Sequence, residues 1–333
     1  MSLPKLSVAL PPSRRIAEYA RAAEDAGCAR VWVYDSPAVY GDLWVALARI
    51  VESTSTIGVG TGVAVPSLRH PLVTASAMAT IEDLSGGRLV AAFGTGFTAR
   101  RAMGQRPMRW DDLVRYVRQV RSLLAGEVVI IDGEATQMLH SDSWGPSRPI
   151  SIPIWCAPVG PRGRAASRQV QADGVMLVGM PQPGDPQFPQ RGLLVHGTVI
   201  EPGEDATSHR VREAAGPWFV SGYHGVWEHD PESLQTMPGG PEWLAEVERL
   251  RAPAERHLAV HEGHVVTLTA RDRGILDAAG EAIASSGWCG PASVIARHFS
   301  GAGDAGITEV VYAPAGPDIA NEIRRFRDAV GST

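Results

Sequence analysis

Two glycine-bearing stretches follow successive apolar runs: Thr61-Gly62-Val63-Ala64 closes the run Ile57 to Thr61, and Gly94-Thr95-Gly96 follows Arg88 to Phe93. Small residues at the carboxyl ends of parallel strands let a ligand approach the backbone, which is where α/β proteins hold cofactors. Gly62 permits a bulge or an unusual peptide geometry that sets backbone N–H and C=O groups against a planar ring; the other reading is a tight strand-to-helix turn. Thr95 adds a hydroxyl able to donate or accept. The second stretch is not a dinucleotide fingerprint, because position 99 is alanine and the stretch follows the fourth strand instead of opening the first crossover. Contact with a ring or its substituents, without phosphate, is the expected use.

A phosphate site is expected at Val159-Gly160-Pro161-Arg162-Gly163-Arg164, just before the helix-like Ala165 to Ala172. Free amides at a helix start, the helix dipole and two guanidinium forks suit an anion, although a solvated basic loop has the same composition. Two residues are candidates for catalysis. Asp35 ends the second strand, where a carboxylate moves a proton beside a ring or caps the turn before Pro37. His264 belongs to His261-Glu262-Gly263-His264, the densest titratable run. A metal there needs both imidazoles on one face and a third ligand, the HExxH spacing is absent, and Gly263 breaks a helix, so no metal is expected. The run reads as a loop ordered by charged hydrogen bonds that lines the pocket or serves structure alone. His224 reads as a packing residue of a helix.

The elements that must position these groups are eight apolar runs alternating with helix-like segments: Lys5 to Leu10, Arg30 to Tyr34, Ile57 to Thr61, Arg88 to Phe93, Ile152 to Cys156, Gly174 to Val178, Leu193 to Ile200 and Ile307 to Tyr312. Their nearly continuous Val, Ile, Leu and Ala content suits strands buried on both faces, and an eight-stranded parallel (β/α)8 TIM barrel closes them economically. Asp25-Ala26-Gly27 before Val31 to Tyr34 echoes Asp304-Ala305-Gly306 before Val310 to Tyr312. Each predicts a helix stopped by a positive-φ glycine that feeds a strand. One domain over 1–333 is expected, with insertions around 126–150, 180–192 and 202–305. Ala125 to Ser151 shows no clear period, and Pro181 to Pro186 reads as an irregular loop.

The chain has 333 residues, 44% hydrophobic and 20% charged, which is enough apolar material for a large core. A net charge of -5 with Lys5 as the sole lysine excludes a general nucleic-acid binder. Cys28, Cys156 and Cys289 are odd in number and widely spaced, unlike a disulfide framework or a CxxC metal site. No 18-residue apolar run or export segment is read, so neither membrane insertion nor secretion is expected, and the cytoplasm is the expected location.

The ordered series Thr61-Gly62-Val63, Ser85-Gly86-Gly87-Arg88, Gly94-Thr95-Gly96, Gly160-Pro161, Ala172-Asp173-Gly174 and Tyr312 to Asp318 resembles the bacterial-luciferase-like flavin superfamily. Within it, the chain is most similar to the methylenetetrahydromethanopterin reductase-like branch that uses coenzyme F420. The resemblance implies a barrel with the ring at the carboxyl ends of the strands and a non-proline cis peptide behind it at Gly62-Val63. It also implies ring contacts from Thr95 and Gly96, phosphate contacts from Gly160 to Gly163, an aspartate at position 35 and a homodimer through helices near Leu43 to Glu52 and Pro71 to Leu84. Sugar-phosphate oxidising members carry a histidine after the second-strand aspartate and a glutamate after the Gly-Thr-Gly element. This chain has Ser36 and Phe97 there, so that substrate class is not expected, and Phe97 offers an apolar wall. The expected function is hydride transfer between F420 and a small organic substrate. The alternatives are an FMN-dependent monooxygenase or a barrel that binds F420 without turnover.

Overall fold

The protein is described by a computed structural model covering residues 3–182 and 187–331. The chain runs β1 (Lys5–Leu10), α1 (Ile16–Asp25), β2 (Arg30–Val33), α2 (Leu43–Ser53), β3 (Gly58–Ala64), α3 (Pro71–Ser85), β4 (Leu89–Phe93), α4 (Phe97–Arg101) and α5 (Trp110–Ala125). A small antiparallel hairpin follows, β5 (Val129–Ile131) with β6 (Glu134–Thr136). Then come β7 (Ile154–Cys156), α6 (Gly160–Gln169), β8 (Gly174–Leu177) and β9 (Gln190–Val195). The helices α7 (His209–His229), α8 (Gly240–Leu250), α9 (Arg256–Val260), α10 (Ala270–Ala279) and α11 (Ala292–Asp304) lead to β10 (Glu309–Tyr312) and α12 (Ile319–Gly331).

The eight expected runs form one closed parallel barrel in the order β1-β10-β9-β8-β7-β4-β3-β2. This is a (β/α)8 TIM barrel. All five residues of β4 are buried, as an apolar run between barrel interior and outer helices must be. Inside, the rings of Trp32 and Trp155 lie 5.1 Å apart between centroids. Their bulk explains two glycines on neighbouring strands: a Cβ on Gly60 would stand 2.5 Å from the Trp32 ring, and one on Gly174 would stand 2.4 Å from Trp155. Trp32 Nε1 donates to Glu309 Oε1 at 2.7 Å and Arg30 Nη1 to Glu309 Oε2 at 2.7 Å, so the buried carboxylate is paired at the amino end of the barrel.

The two echoed helix stops behave alike. Gly27 has φ +71° and Gly306 φ +82°, and each sends the chain from a helix into a strand. Several strand ends move by one to three residues, and three departures from expectation are larger. Leu193 to Ile200 was expected as one strand, but β9 starts at Gln190 and stops at Val195, because Gly197 at φ +128° turns the chain out of the barrel. The expected helix from Ala165 to Ala172 instead runs from Gly160 to Gln169, so the glycine-arginine stretch is its first turn. The segment without period between Ala125 and Ser151 contains the β5–β6 hairpin.

The long segment 202–305 divides. Its last helix, α11, packs on α12 and is the crossover into β10. The part before it, residues 209–285, has an apolar cluster of its own built from Ala215, Val220, Tyr223, Leu234, Trp243, Val247, Val260, Ile275 and Ile283. In the 180–192 segment no helix occurs among the described residues, and positions 183–186 of the Pro181 to Pro186 loop lie outside them. Among the described residues no helix is long and apolar enough to cross a membrane.

Candidate active site at the strand ends

Because all barrel strands run in one direction, their carboxyl ends gather on one face, and every candidate cofactor residue lies there or just beyond. The Gly62–Val63 peptide is cis, and the β3–β4 register shifts between Thr61 and Ala64, which is the bulge implied by the resemblance. Thr61 is fully buried and its hydroxyl donates to Ala92 O at 2.7 Å, so it braces β4 and offers nothing to a ligand.

The β3 and β4 ends touch at a point where no side chain fits. Gly94 N donates to Ala64 O at 3.1 Å, and a Cβ on Gly94 would stand 2.6 Å from Val63 Cγ2 and 3.7 Å from Ala157 Cβ. Gly96 has φ +77° and a Cβ there would stand 2.5 Å from Val65 Cγ1. Thr95 is half-buried at this turn, and its carbonyl accepts from Met108 N at 2.9 Å. Ala157 N donates to Phe93 O at 2.9 Å, which brings the chain after β7 beside the same turn. From there Val159 caps α6, whose first turn holds Gly160, Pro161, Arg162, Gly163 and Arg164. Pro161 and Arg162 are exposed, whereas Gly163 is buried with Trp110 Cζ2 only 2.7 Å from where a Cβ would stand. A helix start with a proline, open amides and an exposed guanidinium retains the chemistry of an anion site.

Asp35 occupies a different setting from the one expected of a proton carrier. Its side chain is 1% exposed, and Oδ2 accepts from Val65 N at 2.9 Å and from Arg69 Nη1 at 2.7 Å. Arg69 also donates to Asp42 Oδ2 at 3.0 Å, the same residue whose other oxygen accepts from Trp44 N and Val45 N at the start of α2. Burial alone would lower the Arg69 pKa, but its hydrogen bonds to Asp35 and Asp42 raise it. Asp35 therefore ties the end of β2 to the chain just past the cis bulge.

Sequence reasoning missed His196 and Trp218. His196 is the first residue after β9, and its ring lies 4.9 Å from Trp218 at an interplanar angle of 6°. Trp218, like Val63 and Ala157, packs against the barrel-interior cluster that includes Trp32 and Trp155. His196 Nδ1 and Trp218 Nε1 are both buried without a hydrogen-bond partner. The signal was present, a histidine directly after an apolar run, but extending the strand to Ile200 hid it. Burial pushes the His196 imidazole down to about 4. Between about pH 6.5 and pH 4 the unfolded chain binds a proton that folded His196 refuses, so stability should fall on acidification by on the order of 3 kcal/mol. His196→Phe, which keeps the stack, should flatten that part of the pH dependence in urea denaturation series; an unchanged slope would assign it elsewhere.

His264 lies beside the β4 turn, with Nε2 3.3 Å from Thr98 Oγ1 and its carbonyl accepting from Tyr40 OH at 2.6 Å. The fold also brings in His224, whose Nδ1 lies 2.7 Å from His264 Nδ1. His261 Nε2 lies 3.1 Å from Glu228 Oε1, and Arg101 Nη1 donates to Glu228 Oε2 at 2.5 Å. The run is thus a loop ordered by hydrogen bonds, and His224 is part of it as well as a helix-packing residue. Burial first, and neighbouring imidazoles second, push His224 and His264 down, His264 to about 3. Phe97 is 43% exposed and its ring stacks on His229 at 5.6 Å, an apolar surface flanking the mouth.

The family model described as luciferase-like monooxygenase matches residues 3–186. The chain is 30% identical over 174 residues to the 5,10-methylenetetrahydromethanopterin reductase of Methanolobus tindarius, covering 50% of each chain. It is 34% identical over 132 residues to the F420-dependent hydroxymycolic acid dehydrogenase of Mycobacterium tuberculosis, covering 36% of this chain and 37% of that one. The chain thus spans about half the length, or less, of these curated relatives. Among solved structures, the coenzyme F420-dependent tetrahydromethanopterin reductase of Methanopyrus kandleri superposes with a TM-score of 0.62 at 18% identity, covering 100% of this chain and 99% of that one. That likeness is one of fold.

Proposed function

The chain belongs to the luciferase-like monooxygenase family, and from that premise we propose that it is an oxidoreductase that uses coenzyme F420 to act on a small organic substrate. The observation that carries the reading is the convergence of the β3 bulge between Thr61 and Ala64, the Gly94-Thr95-Gly96 turn and the first turn of α6 on one face of the barrel. The activities of the relatives from Methanolobus tindarius and Mycobacterium tuberculosis support the branch.

The residues fit a flat ring with a polar rim and a phosphate-bearing tail. Gly94 and Gly96 let the ends of β3 and β4 close into a flat backbone surface where a Cβ would collide with Val63 and Val65, and His196 Nδ1 and Trp218 Nε1 are buried polar atoms still lacking partners. Val63, Ala64, Thr95 and Gly96 would border the ring, and Val159 to Arg164 would hold the phosphate. When bound, F420 supplies two-electron hydride chemistry at its ring carbon. The protein's share is to orient the reactants, exclude water and place charge. Asp35 serves as a positioning residue, and the loop from His261 to His264 borders the mouth.

Arg162→Ala should weaken F420 binding about 10-fold, the size of one lost charge-assisted hydrogen bond, without changing stability. Quenching of F420 fluorescence by the protein measures it, and an unchanged affinity would move the phosphate site off α6. Turnover is tested by oxidation of reduced F420 with a panel of enones, imines and nitro compounds. The family match also favours a second reading, an FMN-dependent monooxygenase, which oxygen consumption coupled to hydroxylation would identify. We infer a cytoplasmic homodimer that buries α2 and α3, supported by the exposed Val45, Val73 and Leu84 on those helices.

A further inference from the structure

We propose that His224, His261 and His264 form a binding site for a zinc-class divalent cation beside the mouth of the barrel. One nitrogen from each of the three imidazoles lies within 4.8 Å of the others, and His224 and His261 are buried. The expectation of no metal stood on a missing third ligand and on the broken HExxH spacing. The fold removes the first objection, because α7 carries His224 to the loop from 40 residues away in sequence. The second applies only to ligands drawn from a single helix.

The hydrogen bonds favour a cation over a self-contained histidine cluster. Glu228 Oε1 accepts from His261 Nε2, so the bare lone pair of that ring is Nδ1, which is buried with no partner. Arg101 fixes Glu228 in turn. A carboxylate on the far nitrogen of a histidine is the outer-shell arrangement that orients a metal-binding imidazole and raises its basicity. Thr98 Oγ1 stands in the same relation to His264 Nε2. Without a cation, the 2.7 Å contact between His224 Nδ1 and His264 Nδ1 can hold one proton, and His224 Nε2 is a further buried nitrogen without a partner.

Three neutral nitrogens and no carboxylate ligand suit zinc and similar borderline ions, and disfavour calcium or magnesium. Bonds of 2.0–2.1 Å set nitrogens about 3.3 Å apart, so the 2.7 Å pair must open and separations of up to 4.8 Å close by up to about 1.5 Å, a shift of the order that ring rotations supply. A cleft of about 580 Å³ lined by Ala38, Val39, Leu258, His261 and Gly263 provides an entry path. Three protein ligands leave a fourth position for water or a substrate oxygen.

The test uses the full chain, stripped with a chelator and dialysed, without F420. Calorimetric titration with Zn²⁺ alone should show one ion per chain. His224→Ala and His261→Ala should each weaken it at least 100-fold, Glu228→Gln about 10-fold, and the exposed His209→Ala not at all. Circular dichroism checks the fold of each variant. Co²⁺ added to the unmutated chain should give the intense visible bands of four-coordinate nitrogen ligation, a readout independent of any substitution. Uptake well below one equivalent, weak six-coordinate Co²⁺ bands, or binding that survives both histidine substitutions would overturn the proposal. None of these outcomes bears on F420 binding.

Discussion

Asp35→Ala should destabilise the chain by on the order of 3 kcal/mol, because it leaves the Arg69 guanidinium, 14% exposed, without its buried partner and Val65 N–H without an acceptor. Asp42 still pairs with Arg69 and limits the loss. Urea denaturation measures the change. Arg69→Met in the Asp35→Leu background should recover much of it, since a matched apolar pair leaves no buried charge. If Asp35 instead carried a proton in the reaction, Asp35→Ala would leave the denaturation midpoint in place and abolish turnover. Its loss is expected to loosen the chain after the bulge, so ring binding should weaken together with stability.

Gly94→Ala should lower F420 affinity by about 100-fold while costing only about 1–2 kcal/mol of stability, the usual range for one excess methyl in a packed site. The backbone at Gly94 is not in the left-handed region, so contact and not φ sets the outcome. The new methyl would stand 2.6 Å from Val63 Cγ2, and a β-branched side chain has few rotamers in which to retreat. Val63 lies in the β3 bulge, so displacing it reshapes the surface on which the ring is proposed to lie. Gly301→Ala in α11, where a Cβ meets nothing within 4 Å, is the matched control and should leave affinity unchanged. Equal F420 affinity in Gly94→Ala and the unmutated chain would place the ring elsewhere.

The barrel was legible because strands buried on both faces must be nearly all apolar, and glycines that end helices have few other uses. All eight runs are strands, and Gly27 and Gly306 hold the positive φ their echo predicts. The small residues at the strand ends share one face for the same reason, since position in a parallel strand fixes which end a turn occupies. What escaped were pairings between distant segments. Nothing in the local sequence joins Asp35 to Arg69 or His224 to His264, and each contact exists only because the barrel and its helical addition fold together. The β5–β6 hairpin escaped because three-residue strands are too short to show a period. The start of α6 escaped because glycine and proline read as loop, although both are at home in a first helical turn.

The central claim is that the carboxyl face of the barrel holds F420. Parallel fluorescence titrations of the purified full chain with F420 and with FMN test it most directly. The account predicts saturable binding of one F420 per chain at micromolar concentration or below, weakened in Gly94→Ala and Arg162→Ala, with FMN at least 100-fold weaker. Tight retention of FMN together with no measurable affinity for F420 would contradict it.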